Sequence, residues 1–415
     1  MTADRTFVIV GAGLAGAKAA ETLRVEGFEG RIVLLGAEPH LPYERPPLSK
    51  GLLLGTEEPD SVYVHDAAWY ADHDIEVRCG ATAKALDRVN QHVVFNDRET
   101  IRYDRLLIAT GSAPRPLPVP GADLDGIVTL RTLADSHRIA GELRPGTRLV
   151  IIGAGWIGLE VAAAAAAQGA DVTVVEAGPL PLHRVLGDRL ARYFADLHTR
   201  HGVRFRFGNQ VTEVRGTDRV SQVLLADGSV LDADMVLVAI GVRPHAALAV
   251  TAGLACADGI LVDQRLRTSD PLIFAAGDVA NVDHPLLGAR VRVEHWDTAV
   301  HTGTTAARAM LDQDVVHDRV PYFFTDQYDL SMEYTGWVAP GQNADVVIRG
   351  DLDGGGFIAF WTDRGSVLAG MNVNVWDVAD QIDTLVRAGL RRGFTVPIDK
   401  LADPAVPLKD LLPEA

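Results

Sequence analysis

Residues 150–160 read VIIGAGWIGLE, and residues 8–16 read VIVGAGLAG. Each is an apolar run that breaks into Gly-x-Gly-x-x-Gly. In the first copy, Thr6–Val10 is the short continuous apolar stretch expected of a parallel strand covered on both faces. Gly11, Gly13 and Gly16 follow, with Leu14 and Ala15 between them. An alanine-rich helix is expected from about Leu14 to Arg24, then a second apolar strand at Arg31–Leu35 and an acid at Glu38. This is one βαβ unit. The first glycine permits a tight turn, the second lets a pyrophosphate approach the backbone, and the third lets helix and strand close up. The helix start offers unpaired N–H groups and a partial positive charge to phosphates. The position after the second strand, Ala37 or Glu38, faces the ribose.

The second copy repeats the order. Leu149–Ile152 reads as the strand, Gly153, Gly155 and Gly158 as the turn around Trp156 and Ile157, Leu159–Gln168 as an alanine-rich helix, and Asp171–Val175 as the next strand, ending in Glu176. One such turn also fits an ordinary glycine loop; two copies, each with strand, helix and terminal acid, point to two dinucleotides. A carboxylate at Glu176 suits a free ribose 2′-hydroxyl and repels a 2′-phosphate. The next cation, Arg184, lies some way on, so NADH is expected over NADPH.

Residues 106–111, LLIATG, read as another buried strand ending in a small turn, followed by SAPRPLPVPG with prolines at 114, 116, 118 and 120, a stretch that is extended and not helical. Residues 236–244, VLVAIGVRP, echo it. The piece between them, 115–245, holds the second glycine turn and is expected to be a nucleotide domain inserted into a first one made of 1–114 and 246–320, which resumes at 273–280, IFAAGDVA, a buried strand running into Gly277-Asp278. From 321 to 415 the character changes: ADVVIRG and FIAFW suggest antiparallel strands, and a helix is expected at about 377–390. The expected fold is α/β: two Rossmann-like dinucleotide-binding domains, one inserted in the other, plus a C-terminal α+β domain.

Composition narrows the function. Hydrophobic residues make up 47% and charged residues 23%, as in a folded globular chain. No apolar run approaches the roughly 20 residues that span a bilayer. A cleaved leader would remove the first glycine turn, so a cytoplasmic location is expected. Cys79 and Cys256 form no CxxC and read as small buried apolar residues rather than a disulfide. The net charge of −16 disfavours nucleic acid as a partner. The 13 histidines show no HExxH or comparable spacing, so no metal site is expected.

The motifs together carry a resemblance. GAGLAG, LPYERPPLSK at 41–50, ATG at 109–111, GAGWIGLE at 153–160, IGVRP at 240–244, TSDPLIFAAGDVA at 268–280, EHWDTAVHTG at 294–303 and TDQYDLSMEYTGW at 325–337 span almost the whole chain. The chain resembles the FAD-dependent, NADH-linked ferredoxin reductases of bacterial oxygenase systems, the putidaredoxin-reductase type, similar in fold to glutathione reductase and apoptosis-inducing factor. The resemblance implies that the first turn holds the FAD pyrophosphate and that Lys50 lies beside the flavin ring near N5, where a cation stabilises charge gained on reduction. It implies that Arg45 and Arg131 contact FAD phosphate or adenosine, that Ala83 makes a backbone contact to adenine, and that Asp278 beside Gly277 binds a ribitol hydroxyl. Ala109, Thr110, Gly111, Gly241, Glu294 and His295 join the cofactor contacts by the same resemblance. Trp296 reads either as a core tryptophan or as a flavin neighbour. Glu160 would orient the nicotinamide carboxamide, or simply favour a helix N-terminus. Disulfide reductases of this fold carry a cysteine pair beside the flavin; the corresponding loop here, LPYERPPLSK, has none.

The reaction expected from the resemblance is hydride transfer from NADH to FAD and single-electron transfer to a [2Fe–2S] ferredoxin, which serves an oxygenase such as a cytochrome P450. The ferredoxin contact is expected to be transient and dependent on ionic strength, since two acidic proteins repel at long range. The chain is expected to be a monomer or weak homodimer. Two other readings stand beside this one: an NADH-dependent reductase of rubredoxin, quinone or dioxygen, and a nucleotide-sensing scaffold like apoptosis-inducing factor.

Overall fold

A computed structural model describes residues 4–391 and 393–413. The first sheet has five parallel strands in the order Ile273–Ala275, Arg105–Ile108, Thr6–Val10, Arg31–Leu35, Ile75–Arg78. Its central strands are covered on both faces, which is why they read as unbroken apolar runs rather than as an alternation. The helix Leu14–Val25 lies between the sheet and a second helix, Trp296–Met310. Gly303 makes that approach possible: a Cβ there would sit 2.4 Å from the Ala15 carbonyl oxygen.

The second sheet repeats the plan with five parallel strands in the order Arg204–Phe207, Asp171–Glu176, Arg148–Ile152, Met235–Val238, Ile127–Val128. Its helix runs Trp156–Ala167 and begins three residues before the expected Leu159. Gly158 therefore lies inside the helix rather than ending the turn.

Three stretches between the units change direction at glycines. The strand in 106–111 ends at Ile108, ahead of the small turn expected there, in which Gly111 takes a φ of +68°. The stretch 236–244 is two strands: Met235–Val238 belongs to the second sheet, and after Gly241, with a φ of +89°, Val242–Pro244 pairs antiparallel with Ser112–Pro114. The two crossings between nucleotide units are thus stitched together, with prolines at ribbon ends where a missing N–H costs least. The stretch 273–280 is a strand only to Ala275, then a 3-10 turn at Gly277–Val279, then a strand Ala280–His284 in another sheet.

The last sheet is antiparallel, in the order Tyr322–Gln327, Leu330–Gly336, Ser366–Val373, Gly356–Asp363, Asp345–Asp351. The helix Ala379–Leu390, two residues shorter than expected at its start, covers one face. The strand Gly356–Asp363 shows the period of two: Ile358 and Phe360 meet that helix, whereas Phe357, Ala359 and Trp361 join the core of the second nucleotide unit. Among the described residues no helix is long and apolar enough to cross a membrane.

Candidate functional site

The two glycine turns have the same geometry. Gly11 has a φ of +116°, and a Cβ there would fall 2.1 Å from the Ala109 carbonyl oxygen; a Cβ on Gly16 would fall 2.0 Å from the Gly11 oxygen. Gly153 has a φ of +103° and would meet the Ala239 oxygen at 2.4 Å, and Gly158 would meet the Gly153 oxygen at 2.3 Å. The outer glycines are therefore demanded by the neighbouring backbone. The middle ones are not: a Cβ on Gly13 or Gly155 would meet nothing within 4 Å. Both are N-caps without a side-chain partner, so each helix start presents free N–H groups beside open space. That arrangement fits a phosphate-bearing ligand at both turns.

The two acids after the second strands differ. Glu176 is tied to its own turn, accepting Ala154 N–H at 2.8 Å and Gly178 N–H at 2.6 Å. Glu38 instead accepts the Tyr43 hydroxyl at 2.6 Å and pairs with Arg45 at 3.1 Å. Arg45 also donates to the Arg131 carbonyl, and Arg131 pairs with Asp278 at 2.7 Å. A line of charge, Glu38–Arg45–Arg131–Asp278, thus borders the first turn, and Arg131 Nε in it is buried without a partner. Gly277 has a φ of +72°, and a Cβ there would fall 3.1 Å from Ala15 Cβ.

Lys50 and Glu160 meet at 2.9 Å, bringing the first unit and the second helix to one point. Glu160 is 5% exposed and accepts the hydroxyls of Ser49 and, at 2.6 Å, Thr325. It lies in the second turn of its helix, past the first turn where an acid is favoured by the helix dipole, so the simpler reading of this residue does not hold. Lys50 Nζ sits 5.5 Å from the Phe324 ring centre, and Trp296 is 6.4 Å from the same ring. Trp296 Nε1 is buried without a partner. His295 stacks on Phe323 at 4.6 Å, and burial pushes its imidazole down to about 4, against the pull of Asp278 and Asp297, so it is neutral at pH 7.

The remaining expected residues are spread around these groups. Leu14 and Ala15 are buried in the helix start, Ala109 packs its carbonyl on Gly11, and Thr110 donates to the His245 carbonyl at 2.8 Å. Trp156 packs on Phe323 at 4.9 Å, whereas Ile157 and Gly241 are exposed. Ala37 is exposed, Ala83 opens a strand paired with Phe95, and Glu294 is turned outward to Arg292. Sequence reasoning missed Ser49, Thr325 and Tyr43. All three stand inside quoted motifs, but nothing in spacing or composition marks the first two as partners of Glu160 or the third as a partner of Glu38. Among the described residues no cluster of three or more His, Cys, Asp or Glu could hold a metal ion.

Two family descriptions cover the chain: pyridine nucleotide-disulphide oxidoreductase matches residues 5–303, and reductase C-terminal matches 322–412. The chain belongs to the pyridine nucleotide-disulphide oxidoreductase family. It is similar to rhodocoxin reductase of Rhodococcus erythropolis, with 41% identity over 86% of this chain and 83% of that one. It is similar to the ferredoxin–NAD(+) reductase component of the anthranilate 1,2-dioxygenase system of Burkholderia cepacia, with 38% identity over 99% and 100%. Among solved structures it resembles the covalent putidaredoxin reductase–putidaredoxin complex, with a TM-score of 0.92, 35% identity and coverage of 99% and 98%. As a member of this family the chain lacks the disulphide of the name. Both cysteines are free, and neither is the buried residue expected: Cys79 is exposed past its strand end, donating to the His40 carbonyl at 3.2 Å, and Cys256 is half-buried. Desolvation raises both thiols, which opposes a thiolate role.

Proposed function

We propose that this protein is an FAD-containing NADH:ferredoxin reductase that passes electrons to a small [2Fe–2S] ferredoxin serving an oxygenase, in the cytoplasm and as a monomer or weak homodimer. Its cofactors are FAD and NADH. The balance is one NADH and two oxidised ferredoxins giving NAD⁺, two reduced ferredoxins and one proton. When bound, FAD supplies the exchange between a two-electron hydride donor and a one-electron acceptor.

The chain's own residues supply position and charge. In this reading Gly11, Gly13 and Gly16 hold the FAD pyrophosphate, and Arg45, Arg131 and Asp278 bind its phosphate and polyol parts. Gly153, Gly155 and Gly158 hold the NADH pyrophosphate, with the Glu176 carboxylate at the ribose. Lys50 offers a cation to the flavin edge, and Glu160 fixes Lys50 and receives the nicotinamide carboxamide. The NAD-binding unit is taken as 115–245, inserted into 1–114 with 246–320, and followed by 321–415.

The observation that carries this reading is the Lys50–Glu160 pair: one buried contact joins the two cradles, with no cysteine beside it. Rapid mixing of the anaerobic yellow holoprotein with NADH should bleach the flavin. NADPH should do so far more slowly, and oxidised [2Fe–2S] ferredoxin should restore the colour. A reduced protein that ferredoxin does not reoxidise, while quinone, rubredoxin or dioxygen does, would replace the acceptor; one that no acceptor reoxidises would favour the scaffold.

A further inference from the structure

A row of buried polar side chains runs through the otherwise apolar core shared by the second nucleotide unit and the last sheet. Tyr328 hydroxyl lies 3.1 Å from His198 Nδ1, and His198 Nε2 lies 2.8 Å from Gln327 Oε1. Gln327 Nε2 lies 3.2 Å from Thr325 Oγ1, which lies 2.6 Å from Glu160 Oε1. His198, Gln327, Thr325 and Glu160 are all buried, and Glu160 Oε1 also meets Lys50. His198 comes from the helix His183–Arg200, Thr325 and Gln327 from the strand Tyr322–Gln327, Tyr328 from the turn after it, and Glu160 from the helix Trp156–Ala167.

The far end fixes the direction of every bond as far as His198. An ionised carboxylate only accepts, so Thr325 donates to Glu160. The Thr325 oxygen then accepts from the Gln327 amide, whose oxygen accepts from His198 Nε2–H. In a neutral ring His198 Nδ1 then accepts from Tyr328. The row requires a neutral imidazole protonated on Nε2, and burial pushes His198 down to about 4 against the Gln327 hydrogen bond, so the ring is neutral at pH 7. Donors aligned in one sense polarise one another, and the last of them points at the charge. Valine at 325 and leucine at 327 would fill the same core without a polar atom to satisfy, so packing alone does not explain the polar residues.

We propose that Thr325, Gln327 and His198 are positioning residues for hydride transfer, forming a one-way hydrogen-bonded row that holds Glu160 in the rotamer in which it fixes Lys50 and receives the nicotinamide carboxamide. This rests on the roles proposed above for Glu160 and Lys50. The row carries orientation and polarisation and not a proton, since an amide at Gln327 passes a proton on only through a high-energy tautomer. It also makes the last sheet part of the site: Glu160 has its full set of donors only with the strand Tyr322–Gln327 in place.

The test uses the FAD-loaded protein and two readouts. In rapid mixing with NADH, Thr325→Val should lower the limiting rate of flavin reduction about tenfold, the scale of one lost hydrogen bond to a charged group. The apparent Kd for NADH should move less than about twofold. Thr325→Ser should recover most of the rate, and Gln327→Leu should fall between. Independently, nitrogen NMR of histidine-labelled protein should show His198 neutral and protonated on Nε2 at pH 7, and Gln327→Leu should disturb that tautomer. A charged His198, or one protonated on Nδ1, overturns the proposal. Thr325→Val at the unmutated rate overturns it and leaves the site reading standing if Glu160→Gln is slow; if Glu160→Gln is also unimpaired, both readings fall.

Discussion

Replacing Lys50 by methionine removes the cation from a buried carboxylate while keeping the length of the side chain. Breaking a buried pair by removing one partner costs about 3–5 kcal/mol, because the other charge stays out of water. Here the ammonium side chain is 17% exposed against 5% for the carboxylate, and the Ser49 and Thr325 hydroxyls still reach Glu160. Both features reduce the cost, so Lys50→Met should destabilise by about 2–3 kcal/mol. Glu160→Gln is the milder change. Its amide still accepts from Thr325 and can donate to Ser49, and the half-hydrated lysine left behind can turn toward water; about 1–2 kcal/mol is expected. The double variant should be more stable than Lys50→Met alone, since a neutral amide no longer needs a cation. Urea denaturation followed by tryptophan fluorescence, with FAD saturating and equal for all variants, reads these differences as midpoint shifts at constant slope. The reasoning fails if Lys50→Met is no less stable than Glu160→Gln, or if the two losses add.

The glycine turns divide by what surrounds them. Gly16→Ala should fail to fold, seen by circular dichroism, because its Cβ would enter the Gly11 carbonyl, whereas Gly13→Ala should fold and lose FAD, seen in the ratio of flavin to protein absorbance. Gly155→Ala should keep FAD and raise KM for NADH. Glu176→Gln should keep only one of the two turn hydrogen bonds, since its amide has a single acceptor oxygen, and should narrow the preference for NADH over NADPH by about tenfold, read from kcat/KM for each. His198 and His317 have folded values pushed down to about 4 by burial, below the usual 6.5, so the unfolded chain binds more protons between those limits. Their contribution to stability is therefore complete above about pH 6.5 and lost as pH falls toward 4, at about 2 kcal/mol each by pH 5, which urea midpoints at pH 7 and pH 5 should show.

The parts of the fold legible in the sequence are those whose demand is local. Each glycine turn occupies a few residues: Gly16 and Gly158 clear the oxygens of Gly11 and Gly153 within the same turn, while Gly11 and Gly153 clear Ala109 and Ala239 just past the adjacent strand of the same unit, so the type of residue announces the geometry. The sequence pattern places the start of the second helix late because Gly158 looks like the end of the turn, although it is helical and small only to clear the Gly153 oxygen. The site's partnerships are a different matter. Glu176 is held by backbone amides, which carry no sequence signal, and Arg45 spends its charge on Glu38 and the Arg131 carbonyl. Ser49 and Thr325 converge on Glu160 from opposite ends of the chain, and only the packing of three sheets brings them there.

That packing bears on whether residues 322–412 form a separable appendage. The strand Tyr322–Gln327 works on both faces, as its period of two allows: Phe323, Thr325 and Gln327 meet Trp156, Glu160 and His198, while Phe324 lies toward Trp296 and Lys50. Its sheet shares one apolar core with Leu186, Leu190 and Phe194 of the second nucleotide unit. Removing the sheet would expose those side chains, each worth about 1.5–3 kcal/mol of burial, and would strip Glu160 and His198 of buried partners at the same time. A chain ending at Pro321 is therefore expected to be insoluble or unable to retain FAD. If that fragment were instead soluble, yellow and reduced by NADH at the rate of the whole protein, the last sheet would be an accessory, and the composite site argued from Glu160 would be wrong.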